Sequence, residues 1–167
     1  MNLSFLKYDI ESEMKKTFYS WQEISFALDN KIINTEDAVH YAVFILDENI
    51  LGFEIVLEIT SLDADEDVFP YVETLAQLEG KQELQAIKDK WLYFILKWLY
   101  ENRNRFADVL EVVEELYEAF DYPSNIASFV RYMPSEAGNL GSLELNRQRL
   151  FNNWSDYLIE FKEEHSV

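Results

Sequence analysis

The sequence predicts an all-α protein, an irregular multi-helix bundle of stacked helical hairpins with about seven helices. Three observations predict it. Apolar residues recur at three- and four-residue spacing in successive segments, capping residues stand ahead of several of those segments, and no two stretches read convincingly as paired strands. A lone strand needs a partner, because even an isolated hairpin is marginal in water.

Taken in order, Ser20 and Glu23 form a capping-box pattern, in which each side chain satisfies an exposed backbone N–H at a helix start. A short helix from about Trp21 to Leu28 follows, and Asp29, Asn30 and Lys31 break it. Asn34 caps the next helix, whose Ala38, Ala42, Val43, Ile45 and Leu46 give one apolar face, so the two read as an αα-hairpin. The stretch 52–60 is ambiguous: Phe53, Ile55, Leu57 and Ile59 alternate as in a strand, whereas Glu54 and Glu58 keep helical spacing. Helix is the favoured reading, and the other strand candidate is Leu3 to Ile10. Asp67 caps a helix with Pro70 in its first turn, where a missing N–H costs little, and Val72, Leu75, Ala76 and Leu78 carry its face to a stop at Gly80.

The longest helix is expected from Gln82 to about Asn102. Leu84, Ile87, Trp91, Phe94, Ile95, Trp98 and Leu99 line one side and Leu92, Leu96 and Tyr100 a second, which places it centrally. A helix from Arg105 to Phe120 turns Val109, Val112, Val113, Leu116 and Phe120 inward and carries Asp108, Glu111, Glu114, Glu115, Glu118 and Asp121. Tyr122-Pro123 interrupts it, because the residue before a proline avoids the helical region. Pro123 then opens a short helix through Arg131 that Pro134 ends. Ser135 to Gly141 is the clearest loop, and a last helix from about Leu143 to Glu163 carries Leu150, Phe151, Trp154, Tyr157, Leu158 and Phe161 at helical spacing.

The 167 residues fit a single domain, residues 1–167, and a chain of this size buries roughly 70% of its unfolded surface. A hydrophobic content of 49%, with 4 Trp, 10 Tyr and 12 Phe, argues against disorder despite the charge. No cysteine is present, which excludes disulfides, thiolate nucleophiles and cysteine-based metal sites and fits a reducing cytoplasm. Lys7, Asp9, Glu11 and Glu13 interrupt the opening segment where an export signal needs an apolar run. The most apolar window, Trp91 to Tyr100, is about half a membrane span, so no membrane association is expected. With 32 acids against 14 bases and a formal charge of −18, the surface repels nucleic acid and anionic lipid but attracts basic proteins.

Few motifs carry chemistry. Asp63, Asp65 and Asp67 occupy the first, third and fifth places of a calcium-loop template, but Val68 and Thr74 stand where it requires glycine and a bidentate glutamate. The histidines are His40 and His165; Glu36 and Asp37 precede His40 by one helical turn, a spacing that more often marks a surface contact than a ligand pair. There is no nucleophile elbow, P-loop or dinucleotide fingerprint. No metal site and no cofactor are expected. The acids are densest between Asp47 and Glu83, where eleven face one base, Lys81.

Lys90-Trp91-Leu92-Tyr93 through Trp98-Leu99-Tyr100, then Phe120-Asp121-Tyr122-Pro123 and Ile126-Ala127-Ser128-Phe129-Val130-Arg131-Tyr132-Met133-Pro134, resemble a family of bacterial proteins known only as a domain of unknown function. The resemblance implies a bacterial cytoplasmic protein and brings no catalytic residues. Its most specific positions are Asp121, Tyr122, Pro123, Arg131, Tyr132 and Pro134, and Arg131 is expected to pair with a carboxylate internally.

The functional expectation is a non-catalytic acidic binding protein, in the manner of immunity or antitoxin proteins that cover a basic protein. Its candidate contact residues are Asp63, Asp65, Glu66, Asp67, Asp108, Glu111, Glu115 and Glu118. The alternative is a small-molecule binder or enzyme with a pocket lined by Trp91, Tyr93, Trp98 or Tyr100, with His40 or Arg131.

Overall fold

The computed structural model describes residues 1–14 and 16–166. Among these, every regular element is helical: α1 (Ile10–Met14), α2 (Trp21–Asp29), α3 (Thr35–Ile45), α4 (Phe53–Ile59), α5 (Phe69–Leu78), α6 (Leu84–Glu101), α7 (Val109–Ala119) and α8 (Leu143–His165), with short 3-10 helices at Ser4–Leu6, Arg103–Arg105 and Ser124–Phe129. The fold is therefore all-α, and Leu3 to Ile10 and the segment 52–60 contain no strand. The chain groups into two compact units, Met1–Trp91 and Leu92–Val167.

In the first unit, both expected caps form as reciprocal boxes. The Ser20 hydroxyl accepts from the Glu23 amide and Glu23 accepts from the Ser20 amide at α2, and Asn34 and Asp37 do the same at α3. Helix α2 packs on α5, α1 on α3, and α4 on both α3 and α5. The core is aromatic: Tyr19 stacks on Trp91 at 4.9 Å, Tyr41 meets Tyr19 edge-on, and the Tyr41 hydroxyl both donates to the Tyr19 carbonyl (2.6 Å) and accepts from its amide (2.9 Å). Burial pushes the phenols of Tyr8, Tyr19 and Tyr41 well up, so all three remain neutral at any physiological pH. Gly52 starts α4 at φ 75, and a Cβ there would lie 2.4 Å from Leu75 Cδ2, so glycine is what lets α4 approach α5. The face of α3 is narrower than the spacing suggested. Ala38, Tyr41 and Ala42 are buried, whereas Val43 and Leu46 are exposed.

In the second unit, Leu92–Leu96, Trp98 and Leu99 on α6 are buried nearly all round, as a central helix requires. The 3-10 helix Ser124–Phe129 packs on α8, with Phe129 stacked on Trp154 at 5.8 Å and Asn153 donating to the Ser128 carbonyl at 2.8 Å. The longest helix is α8, with 23 residues against 18 in α6. Helix α7 starts at Val109 instead of Arg105, because Arg103–Arg105 form a separate 3-10 turn and Asp108 caps the new helix. Pro123 precedes a 3-10 helix that ends at Phe129, so Arg131 lies in the following turn and Pro134 terminates no helix. Among the described residues, no helix is long and apolar enough to cross a membrane.

Candidate functional site

Helix α7 is fixed by Asp108, whose carboxylate accepts from the Leu110 amide at 3.1 Å, and by an apolar stripe in which Val109, Leu110, Val113, Leu116 and Tyr117 are buried. Its far end is closed by two successive non-glycine residues in the left-handed region, Asp121 at φ 64 and Tyr122 at φ 56. Their amides donate to the Glu118 and Tyr117 carbonyls at 3.1 and 2.8 Å. Left-handed backbone costs an L residue roughly 1–2 kcal/mol. It persists here because Pro123 fixes the next φ and both amides are satisfied. The consequence is the placement of Tyr122, 57% exposed, edge-on to buried Tyr117 at 5.3 Å.

The second motif segment reaches the same place. From the turn after Phe129, Arg131 donates from Nε and Nη2 to the two oxygens of Glu114 at 2.8 and 3.0 Å, and from Nη1 to Asp108 at 2.5 Å. A bidentate fork with a second carboxylate holds the turn against α7. Tyr132 then lies against Tyr117 at 6.2 Å, itself 52% exposed. Desolvation, then the charge of Glu118 and the neighbouring phenols, push the Tyr132 phenol up, so it is a neutral donor and acceptor. Two exposed phenols thus share one buried ring. Exposed Glu111, Glu115, Glu118 and Asp121 belong to the same segment and enter no ion pair among the described residues.

Burial raises the Asp108 carboxyl, but the Arg131 hydrogen bond and charge, with the Glu111 and Leu110 amides, outweigh it and hold the group below its ordinary 3.8. This contribution to stability is full above that value and disappears as pH falls through the folded pKa. Both side chains are about a third exposed, so Arg131→Gln is expected to cost about 1 kcal/mol at neutral pH. It should also flatten stability between pH 4 and pH 2 relative to the parent, as measured by urea unfolding across that range.

The other sequence candidates lie elsewhere. Asp63, Asp65, Glu66 and Asp67 form the exposed turn between α4 and α5; Glu66 accepts from the Asp63 amide at 2.7 Å and Asp67 from the Phe69 amide at 3.0 Å. Asp108 is half-buried and engaged internally, unlike Glu111, Glu115 and Glu118. Tyr122, Arg131 and Tyr132 each meet side chains of α7 or its cap and Asp121 closes its end, whereas exposed Pro134 lines another cleft with Asn153 and Tyr157. His40 pairs with Glu11, and His165 stacks on Phe161 at 4.0 Å. Among the described residues, no group of three His, Cys, Asp or Glu side chains is placed to hold a metal ion. Trp91, Tyr93 and Trp98 are buried, and half-buried Tyr100 sits edge-on to Trp154, so these rings form core instead of lining a pocket. Sequence reasoning missed buried Tyr117, the platform for both exposed phenols; its apolar-face spacing on α7 was the available signal.

No curated protein and no solved structure matches the chain. A family model described as an uncharacterized protein conserved in bacteria, DUF2247, matches residues 10–162, which take in the whole of α7 and both segments that meet on it. The chain belongs to that family.

Proposed function

We propose that this chain is a non-catalytic binding protein of the bacterial cytoplasm that covers a basic protein, as an immunity or antitoxin protein does, through the tyrosine surface of α7. One observation supports the reading: two exposed phenols, Tyr122 and Tyr132, are held on one buried ring, with Tyr132 close to Glu118, which enters no ion pair among the described residues. Tyrosine buries a large ring with little loss of side-chain entropy and is enriched among the residues that dominate interface energies. The backbone strain at Asp121 and Tyr122 points the same way, since such conformations cluster where a side chain must be presented. Glu111, Glu115, Glu118 and Asp121 supply the field that draws and orients a cationic surface.

The test uses a partner captured from the native bacterium and then purified. The double substitution Tyr122→Ala with Tyr132→Ala is expected to weaken its affinity about 100-fold or more, mostly through faster dissociation, because both rings are exposed and tyrosines dominate interface energies. Unchanged affinity in a folded double variant, judged by far-UV circular dichroism, would remove the tyrosine surface from the reading.

A further inference from the structure

Three arginines, Arg131, Arg147 and Arg149, line one cleft of about 600 Å³ in the second unit, and no aspartate or glutamate lines it. In a chain with 32 acids and 14 bases, that clustering runs against composition. The three cations are not equivalent. Arg131 is neutralised by Asp108 and Glu114. Arg149 donates from Nη1 to the Gly138 carbonyl at 2.6 Å, a neutral acceptor, and its Nε is buried with no partner among the described residues. Arg147 is exposed, and its guanidinium lies over the Phe151 ring at 5.2 Å and enters no ion pair among the described residues. Two guanidinium groups that form no ion pair among the described residues therefore line one cleft.

The rest of the lining is half apolar, with Ser135, Gly138, Asn139 and Asn146 making up the polar half. Leu110, Met133, Leu143 and Leu150 form the apolar half, and Leu143, the first residue of α8, is 91% exposed. A leucine left in water beside two such cations makes a surface with an apolar part and a cationic part. The volume lies within the roughly 300–1,000 Å³ of small-molecule sites. Guanidinium forks match the paired oxygens of carboxylates and phosphates.

We infer that this cleft binds a small amphiphilic anion, a carboxylate or phosphate monoester. Its head pairs with Arg147 and Arg149, and its short hydrocarbon chain covers Leu143 and its apolar neighbours. The inference is independent of the basic-protein reading.

Titration of the full chain with hexanoate, hexyl phosphate, inorganic phosphate and hexanol, followed by amide NMR shifts, tests it. At least one of the two amphiphiles should bind saturably and move the amides of Gly138, Asn139 and Leu143, and the tighter one identifies the head group. Inorganic phosphate and hexanol should bind at least about ten-fold more weakly, since each offers half of the chemistry. Arg147→Gln should weaken the amphiphile about five-fold or more. Leu143→Ser, at an exposed position, should do so independently of any effect on folding. No saturable binding, hexanol or inorganic phosphate binding as tightly as the amphiphiles, or Arg147→Gln leaving affinity unchanged would overturn the proposal.

Discussion

Replacing Glu23 by Ala is expected to destabilise the protein by about 3 kcal/mol or more, near the low end of the range for breaking a buried ion pair. Glu23 is 3% exposed and has three duties. Its carboxylate receives Lys90 Nζ at 2.8 Å on both oxygens and closes the α2 capping box on the Ser20 amide at 2.8 Å, and its backbone carbonyl accepts from Trp91 Nε1. Alanine leaves the Lys90 ammonium, 23% exposed, without that carboxylate and the Ser20 amide without its acceptor. Residual solvent access at Lys90 is what moves the expectation toward the lower figure. Glu23→Gln keeps the cap acceptor but loses the charge, so it should fall between parent and alanine variant. Glu23→Ala with Lys90→Met should recover part of the loss, because no buried cation remains. Urea unfolding measures all four, and a Glu23→Ala cost below about 1 kcal/mol would show that the pair contributes little.

The second large effect concerns tryptophan. Trp91→Ala and Trp154→Ala should each cost about 3–5 kcal/mol, as truncation of a buried indole does, since both side chains are at most 1% exposed. The phenylalanine variants discriminate further. Trp91 Nε1 donates to the Glu23 carbonyl at 2.9 Å, whereas Trp154 Nε1 is buried without a partner among the described residues. Trp91→Phe removes a made hydrogen bond, and Trp154→Phe removes an unsatisfied donor, so the first should cost about 1 kcal/mol more than the second. The reverse order, read from denaturant midpoints at equal slope, would show that Trp154 has a polar partner in solution.

What was legible in the sequence was what a few neighbouring residues decide. The Ser20–Glu23 capping box and the Asn34 cap are decided within a few residues, and both α2 and α3 start where they indicate. The helical reading of 52–60 followed from the lack of a convincing partner strand, and α4 occupies Phe53–Ile59. Competing local signals produced the errors. Arg103–Arg105 satisfied their own backbone as a 3-10 turn, which moved the start of α7 to the residue after Asp108. Val43 and Leu46 continued the apolar pattern of α3, yet both are exposed, since burial depends on what packs opposite.

The candidate site was legible only in part for the same reason. The sequence implied a carboxylate for Arg131, but its partners stand 17 and 23 positions away, and only the fold selects Glu114 and Asp108. The corner at Tyr122-Pro123 was readable from proline, whereas left-handed Asp121 and Tyr122 were not, because such a conformation is uncommon in any residue other than glycine. The arginine cleft gathers side chains from the turn after Phe129 and from α8, and no spacing rule joins them.

The decisive measurement for the proposed function is the association rate of this chain with a partner captured from the native bacterium, across ionic strength, by stopped-flow fluorescence. A basic partner whose association slows about ten-fold or more between low and physiological salt is expected, with Glu111→Gln, Glu115→Gln and Glu118→Gln together flattening that dependence. A rate indifferent to salt, or a partner with a neutral or acidic surface, would contradict the reading of α7 as an anionic recognition surface.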